Sequence, residues 1–244
     1  MQPLELLIQS AKRALFFREF ARARALLEQA LPLAEQQGLE TFVYRALGDT
    51  WCGCGEFGEA VASYRRALAS RPPQLDGDSD DNATLLSNLG YALDQEKRFD
   101  ESEELHVQSL AIKTRLHGKG HPALIQPLTN LAFGLLERGE NARAQACLSE
   151  SVSIAERTFG ASHPALAEPL NNLGELYRRQ GQLDQAAPLL QRALAIMESA
   201  VPDPDHPDLL PFLDNNAALL RQQGHAEQAN ELADRAERIR NKDA

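Results

Sequence analysis

Four asparagines recur along the chain at almost constant spacing: Asn88, Asn130, Asn172 and Asn215. An amide side chain offers a hydrogen-bond donor and an acceptor together, so it can bind the backbone of an extended peptide whatever the peptide's side chains are. Amides at equivalent positions of successive helices therefore predict a row of contacts to a bound segment. The alternative is that these amides hold neighbouring helices together.

The cysteines and recurring histidines lack the partners that a metal site needs. Cys52 and Cys54 form a C-x-C pair without a second cysteine pair at zinc spacing, which favours two small residues at a helix end. Three histidines, each followed directly by proline, recur at His121, His163 and His206. Proline suits a first helical turn and histidine the cap before it, so we expect helix starts at these positions.

The most polar stretch of the chain is 72–83, PPQLDGDSDDNA. Asp76, Asp78 and Asp80 fall at the first three ligand spacings of a calcium loop, but Asp81 stands where glycine is required, and position twelve is serine instead of glutamate. The composition therefore predicts a solvated acidic linker.

A search for catalytic groups finds no nucleophile beside a base, no phosphate-binding glycine loop and no buried titratable pair in a supporting context. His106 is expected to be a packed core residue. The prediction is that the protein is not an enzyme and has no catalytic residue, cofactor or metal.

The elements that carry the asparagines are amphipathic helices. In the stretch 170–197, leucines and alanines recur three and four residues apart on either side of Gly181, which predicts two helices joined at that glycine. The pattern repeats at intervals of 42 or 43 residues, in stretches that begin at Leu86, Leu128, Leu170 and Leu213. A pair of helices this short cannot bury both apolar faces alone, so the chain is predicted to be a stack of such pairs.

The second repeat supplies a recognisable pattern. Its aromatic, Leu-Gly, aromatic, alanine, aromatic, alanine and proline positions are Tyr44, Leu47, Gly48, Trp51, Ala60, Tyr64, Ala67 and Pro72. This spacing resembles the tetratricopeptide repeat. The later repeats, with their L-x-N-L opening and His-Pro linker, are similar to the 42-residue kinesin-light-chain type. Small residues such as Gly48 and Gly174 are expected where two helices cross closely.

The resemblance implies an all-α fold, a right-handed superhelical α-solenoid of about six helix pairs in a single array over 1–244. The predicted repeats are 4–37, 39–72, 84–117, 123–159, 165–200 and 208–240. The last departs from the pattern, with Asn216 in place of leucine and charged residues on its second helix, as suits a terminal repeat with a wet outer face.

Composition limits the partners. The net charge of −10 argues against broad binding to nucleic acid or an anionic membrane. No run of roughly 18 apolar residues predicts a membrane span, and the first residues lack a secretory signal. Three cysteines give no disulfide framework, so a cytoplasmic location is expected.

In tetratricopeptide arrays the first helices line the concave face, which implies that the asparagines contact a bound segment there. Residues one turn away are predicted to choose its side chains: Tyr91, Phe133, Arg178, Arg179 and Arg221. Arginine makes strong forked bonds to carboxylates, so a peptide with an acidic stretch and an apolar anchor is expected. The function predicted is a protein-interaction scaffold or adaptor. The alternatives are a peptide-responsive regulatory sensor and an accessory module of an enzyme complex.

Overall fold

The computed structural model describes residues 3–71 and 78–242. Over these residues the chain is all-α, with twelve α-helices and no strand. The helices are α1 Pro3–Phe16, α2 Phe20–Glu35, α3 Glu40–Gly53, α4 Phe57–Ala69, α5 Asp80–Gln95, α6 Phe99–His117, α7 Ile125–Glu137, α8 Asn141–Phe159, α9 Ala167–Arg179, α10 Leu183–Ala200, α11 Leu210–Gln222 and α12 Ala226–Lys242.

Each odd-numbered helix packs against the even-numbered helix that follows it, so the predicted helix pairs are confirmed. The chain forms two compact units, Met1–Gly118 and Lys119–Ala244, and each contains three helix pairs. Within a unit, the second helix of one pair packs on the first helix of the next. Repeats that bury their faces only against neighbours are what a helical-repeat fold requires.

The close crossings lie where the small residues predict them. A Cβ added at Gly48 would lie 2.4 Å from Tyr64 Cε1, and one added at Gly174 would lie 2.7 Å from Leu190 Cγ. Real Cβ atoms do not approach this closely, so the two helices of a pair touch at a position that excludes a side chain. Tyr64 and Leu190 are fully buried at these crossings.

The last helix pair accommodates Asn216 where the four repeats before it have leucine. Asn216 is buried, and its Nδ2 donates to the backbone oxygens of Leu190 at 3.0 Å and Phe212 at 2.9 Å. Since both bonds reach backbone carbonyls, the amide is satisfied where the other repeats place an apolar side chain.

The three histidine–proline dipeptides begin helices, as predicted. His121, His163 and His206 each cap a short 3₁₀ turn that starts at the proline and leads into α7, α9 or α11. In every case the histidine Nδ1 accepts from the backbone N–H two residues later, at 3.2 Å. The side chain thus satisfies a donor that the first helical turn leaves unpaired.

The predicted linker 72–83 is too long, because α5 already begins at Asp80. Arg115 donates to the carboxylate of Asp78, and His117 Nε2 lies 2.8 Å from Asp80 Oδ1, so both acidic residues pair with α6. Asp76, the first residue of the calcium-loop candidate, and the proline that closes the second predicted repeat fall in residues 72–77, outside the described part. None of the described helices is long and apolar enough to cross a membrane.

Candidate functional site

The predicted contact residues lie on the first helices of their pairs. Asn88 is on α5 in the N-terminal unit, whereas Asn130, Asn172 and Asn215 are on α7, α9 and α11 in the C-terminal unit. Within the C-terminal unit α9 packs against both α7 and α11, so the equivalent positions of these helices are neighbours.

Asn88 is engaged within the N-terminal unit. Its Nδ2 donates to Asp49 Oδ1 at 3.0 Å, and the same oxygen accepts from the Tyr64 hydroxyl at 2.7 Å. Desolvation raises the pKa of Asp49 above its ordinary value, against the opposing effects of Tyr64, Arg45 and Asn88. The amide therefore helps to satisfy a carboxylate whose ionisation the surrounding protein makes costly.

Asn130 is also engaged. It is buried, and Gln126, one turn earlier on α7, donates from Nε2 to its Oδ1 at 2.7 Å. Side chains four residues apart meet on a helix surface, which explains why this bond forms within one element.

The two remaining amides are different. Asn172 and Asn215 are half-buried, and neither makes a hydrogen bond with any residue in 3–71 or 78–242. They occupy equivalent positions on the adjacent helices α9 and α11. Two amides of the four can thus offer a donor and an acceptor without first breaking a bond within the described chain.

Two of the predicted arginines form an ion cluster. Arg178 makes two hydrogen bonds to Glu175, from Nε at 2.6 Å and Nη2 at 2.7 Å, and Arg179 Nε donates to the same carboxylate at 2.7 Å. Arg179 also donates to Glu137 on α7 at 2.8 Å. The sequence analysis did not predict that these two acidic residues would hold both guanidinium groups.

Burial disfavours the Glu175 carboxylate, but the hydrogen bonds from Arg178 and Arg179 outweigh it, so the pKa of Glu175 lies below its ordinary value. The carboxylate therefore favours its ionised form, one turn along α9 from Asn172. Arg221, by contrast, is exposed and makes no ion pair with any residue of the described ranges.

Glu168 adds a titratable group one turn before Asn172. Solvent reaches this side chain, yet the protein atoms around it desolvate the carboxylate and raise the pKa of Glu168, against a hydrogen bond from Gln126. Because the Glu168 carboxylate is costly to ionise, a ligand group beside it would be favoured if it were neutral and hydrogen-bonding instead of acidic.

The predicted aromatic residues are both accessible. Tyr91 is 42% exposed, and its ring meets that of Phe57 edge to face with centroids 6.3 Å apart. Phe133 is half-buried on α7. Tyr91 presents apolar surface on α5 in the N-terminal unit, and Phe133 presents it on α7 in the C-terminal unit.

The sequence reasoning missed a buried titratable pair. His106 is completely buried, and its Nε2 lies 2.9 Å from Oδ2 of Asp94, which is buried as well. Ser102 donates to the other carboxylate oxygen, and His106 Nδ1 has no partner in the described part of the chain. Because the cluster is sealed between α5 and α6, a substrate has no access to it. His106 is the core residue that was predicted, in the column that holds Tyr64 in the second repeat.

The cysteines do not form a site. Burial raises the pKa of the Cys52 and Cys147 thiols, which keeps them protonated. Within residues 3–71 and 78–242, no three histidine, cysteine or acidic side chains converge as metal ligands would.

An all-α chain of stacked helix pairs, with polar groups presented along its first helices, is a helical-repeat protein of the interaction type. The tetratricopeptide-repeat family model matches residues 39–115, 81–140 and 123–199, so the chain belongs to this family. No curated protein matches it in sequence.

Solved structures share the fold. BtubC (BKLC) from P. vanneervenii is 27% identical, with 98% of this chain and 92% of that chain covered and a TM-score of 0.66. A putative kinesin light chain from Podosopora anserina with nearly identical TPR-like repeats is 23% identical, with 82% and 93% covered and a TM-score of 0.60. A Rap protein complexed with Competence and Sporulation Factor is 16% identical, with 97% and 76% covered and a TM-score of 0.72. The repeats are therefore of the kinesin-light-chain-like kind.

Proposed function

We propose that this protein is an interaction scaffold that holds an extended peptide, or a segment of a partner protein, against the first helices of its C-terminal unit. The observation that carries the proposal is the pair of half-buried amides, Asn172 and Asn215, which have no hydrogen-bond partner in the described chain. A half-buried polar group gains most from a ligand that supplies its missing bonds while excluding water.

The amides would bind the peptide backbone, and neighbouring side chains would select its residues. Arg221 is the arginine best placed to receive an acidic side chain, since Arg178 and Arg179 already share the Glu175 carboxylate. Phe133 offers apolar surface for an anchor residue. Asn130 belongs to the proposed face as well, but it would exchange an internal hydrogen bond for one to the ligand. Asn88, in the N-terminal unit, is a separate candidate contact that would give up its bond to Asp49.

The fold supports this proposal. One protein of similar fold was solved in complex with Competence and Sporulation Factor. At 16% identity the likeness concerns the fold alone, so it supports capture of a ligand by stacked helix pairs and does not identify the ligand.

A peptide library displayed on phage tests the proposal without a known partner. The full chain is used to select peptides, and the affinity of the selected peptides is then measured by fluorescence anisotropy. The double variant Asn172→Ala/Asn215→Ala should weaken their binding about tenfold or more, because each lost amide removes hydrogen bonds to a desolvated backbone.

The matched control is Asn230→Ala, which removes an exposed amide from the second helix of the last pair. It should leave the affinity of the selected peptides unchanged, and all variants should keep the helicity of the wild type. Failure to select any peptide, or equal binding by the double variant, would refute the proposal.

A second candidate is a peptide-responsive regulator, favoured by the same similarity to a Rap protein in complex with a factor. In that case binding would shift the chain between two arrangements, which requires a ligand with different affinity for each. Small-angle scattering of the full chain with a selected peptide distinguishes the two. A scaffold keeps its radius of gyration, whereas a regulator changes it.

A further inference from the structure

Each helix pair of the described chain turns from its first helix to its second through one residue with a positive φ. These turn residues are Arg18, Gly55, Lys97, Gly139, Gly181 and Gly224, with φ between 57° and 84°. The two residues before each of them lie at the tip of the hairpin. The turns therefore fix which tip residues are equivalent in all six pairs.

In the five later pairs, both tip positions hold polar or small residues. The first position contains Gly53, Gln95, Glu137, Arg179 and Gln222, and the second contains Cys54, Glu96, Arg138, Gln180 and Gln223. All of these residues are exposed or half-buried, so the stack leaves both positions accessible to solvent. Packing between repeats therefore does not require an apolar side chain at the tip.

The first hairpin differs, because its tip residues are Phe16 and Phe17. Phe16 is 82% and Phe17 58% exposed, the two largest fractions among the large exposed apolar residues of the described chain. Their rings meet edge to face with centroids 5.2 Å apart, so they form one apolar projection. Holding two phenyl rings in water is unfavourable, and such a patch is typical of a surface that another molecule covers.

Three arginines lie beside the two rings. The Arg13 guanidinium is 6.0 Å from the centroid of the Phe17 ring, and Arg13 and Arg22 line one depression in the surface together with Phe17 and Glu19. Arg18 is the turn residue itself. All three arginines are exposed. Arginine at the edge of an aromatic patch packs its apolar stem against the patch and keeps its charged end at the rim.

The charge around this tip is opposite in sign to that of the chain. Residues 12–24 contain five lysines or arginines and one acidic residue, Glu19, whereas the whole chain has a net charge of −10. Glu19 is paired with Arg22 at 2.8 Å, and Arg13 makes no ion pair with any residue in 3–71 or 78–242. Because exposed charges are screened beyond a Debye length of about 8 Å, an anionic surface that approaches the tip meets a positive field.

Aromatic rings flanked by basic side chains are the combination that an anionic bilayer surface binds. The rings enter the boundary between headgroups and acyl chains, and the basic groups contact acidic headgroups. A projecting tip suits a fluid bilayer, which accepts two rings without a preformed pocket, whereas a protein partner has to supply a cavity of matching shape. Contact of this kind is with the surface, as no described helix is long and apolar enough to cross a membrane.

We propose that the tip of the first hairpin, Phe16 and Phe17 with Arg13, Arg18 and Arg22, attaches the protein to the surface of an anionic bilayer. Two rings and three guanidinium groups give a weak and reversible attachment that requires acidic lipid and declines with salt. The net charge of −10 opposes adsorption over a broad surface, which confines the contact to this tip. The attachment uses none of the amides of the proposed peptide site and stands independently of them.

Co-sedimentation of the full chain with lipid vesicles tests the proposal. Vesicles of equimolar phosphatidylcholine and phosphatidylserine should bind the protein about tenfold or more tightly than vesicles of phosphatidylcholine alone. The double variant Phe16→Ser/Phe17→Ser should weaken binding about tenfold or more, because it removes both rings from the interface. Val107→Ser is the matched control: it removes a 46% exposed apolar side chain from α6 and should leave binding unchanged.

A second pair of variants separates the local charge from the charge of the whole chain. Arg13→Glu should weaken binding to the acidic vesicles about tenfold or more, because it places a negative charge beside acidic headgroups. Arg238→Glu changes the net charge by the same amount at an exposed position of α12 and should bind like the wild type. Equal losses in the two variants would show that net charge controls the binding, and would overturn the role of the tip.

The variant Phe16→Trp tests whether the tip enters the bilayer. After subtraction of the Trp51 signal of the wild type, its emission should shift to shorter wavelength with acidic vesicles and be quenched by lipids brominated in their acyl chains. All variants should keep the helicity of the wild type, because the substituted side chains are exposed. No binding to the acidic vesicles, equal binding by Phe16→Ser/Phe17→Ser, or unshifted emission would each overturn the proposal and leave the tip to a protein partner.

Discussion

Glu175 shows how a single carboxylate can couple the stability of the fold to pH. Hydrogen bonds from Arg178 and Arg179 outweigh the effect of burial and hold the pKa of Glu175 below its ordinary value of 4.5. The folded state therefore binds this proton less tightly than the unfolded state does. Its contribution to stability is fully present above pH 4.5 and is lost as the pH falls through the folded pKa.

The variant Glu175→Gln should accordingly lower the free energy of unfolding at pH 7 by roughly 1–3 kcal/mol, since it leaves two guanidinium groups short of an acceptor. Urea unfolding as a function of pH measures this difference, which should shrink once the wild-type carboxylate is protonated. Glu137→Gln removes only the more exposed partner of Arg179 and should cost about 0–1 kcal/mol. A difference for Glu175→Gln that stays constant down to low pH would contradict the ionic explanation.

Gly48 is a second residue at which the surrounding side chains determine how a substitution changes stability. An added Cβ would lie 2.4 Å from the buried Tyr64 ring, so Gly48→Ala should destabilise the N-terminal unit by about 1–3 kcal/mol through overpacking. Gly58, on α4, has no atom within 4 Å of an added Cβ. Gly58→Ala should therefore be neutral or stabilise by about 0.5–1 kcal/mol, through the higher helix propensity of alanine. Thermal unfolding of both variants checks the contrast, and equal effects would show that the crossing tolerates a methyl group.

At the scale of the element, two neighbouring helix pairs fill equivalent core positions with different kinds of side chain. Between α5 and α6 the core contains Asp94 and His106 in contact, whereas the equivalent positions between α7 and α8 are Leu136 and Leu148. All four residues are buried. A buried ionisable pair stabilises a fold little by comparison with apolar residues, but loss of one member leaves the other unpaired.

This comparison predicts a non-additive result. Asp94→Leu or His106→Leu alone should destabilise the chain by about 3–5 kcal/mol, because the remaining polar group loses its buried partner. The double variant Asp94→Leu/His106→Leu recreates the apolar arrangement of the next pair and should cost less than either single change. A double-mutant cycle measured by urea unfolding gives the coupling free energy. Additive losses would show that the two side chains act independently.

The helices themselves could be predicted from the sequence, because leucine and alanine spacing reports directly on which face is buried. The Gly48 and Gly174 crossings followed from the same alignment. The hydrogen-bond partners of the polar side chains were harder to predict from the sequence. Gln126 and Asn130 are four residues apart on one helix, so their bond had a sequence signal, whereas Asn88 meets Asp49 across two helices. Such a bond depends on the rotation of packed helices by a few degrees, which apolar spacing does not specify.

The start of α5 and the contact between Asp94 and His106 were not predicted, for related reasons. Aspartates at 78, 80 and 81 resemble a linker by composition, but acidic residues also favour the first turn of a helix, and α6 supplies Arg115 and His117 as partners. Asp94 and His106 are twelve residues apart, on opposite helices of one hairpin. Only the packed hairpin brings them into contact.

At the scale of the whole molecule, the chain divides into two compact units of three helix pairs each. In helical-repeat proteins stability is close to a sum of repeat terms and nearest-neighbour terms, so a local loss of stability spreads mainly to adjacent pairs. Destabilising one helix pair should therefore lower local stability most in that pair and its neighbours, and least in distant pairs. Asp94→Leu provides a strong local perturbation in α5, far along the sequence from α11 and α12.

Amide hydrogen exchange of the Asp94→Leu variant should show the largest loss of protection in α5 and α6, and a smaller loss in α3 and α4, against which α5 packs. Protection of α11 and α12 should remain at the wild-type level, because no term in a nearest-neighbour scheme connects them to Asp94. Glu175→Gln is the reciprocal control: it should lower protection around α9 and leave α1 and α2 unchanged. Uniform loss of protection in both variants would mean that the two units unfold together, and stability would then have to be assigned to the chain as one cooperative body.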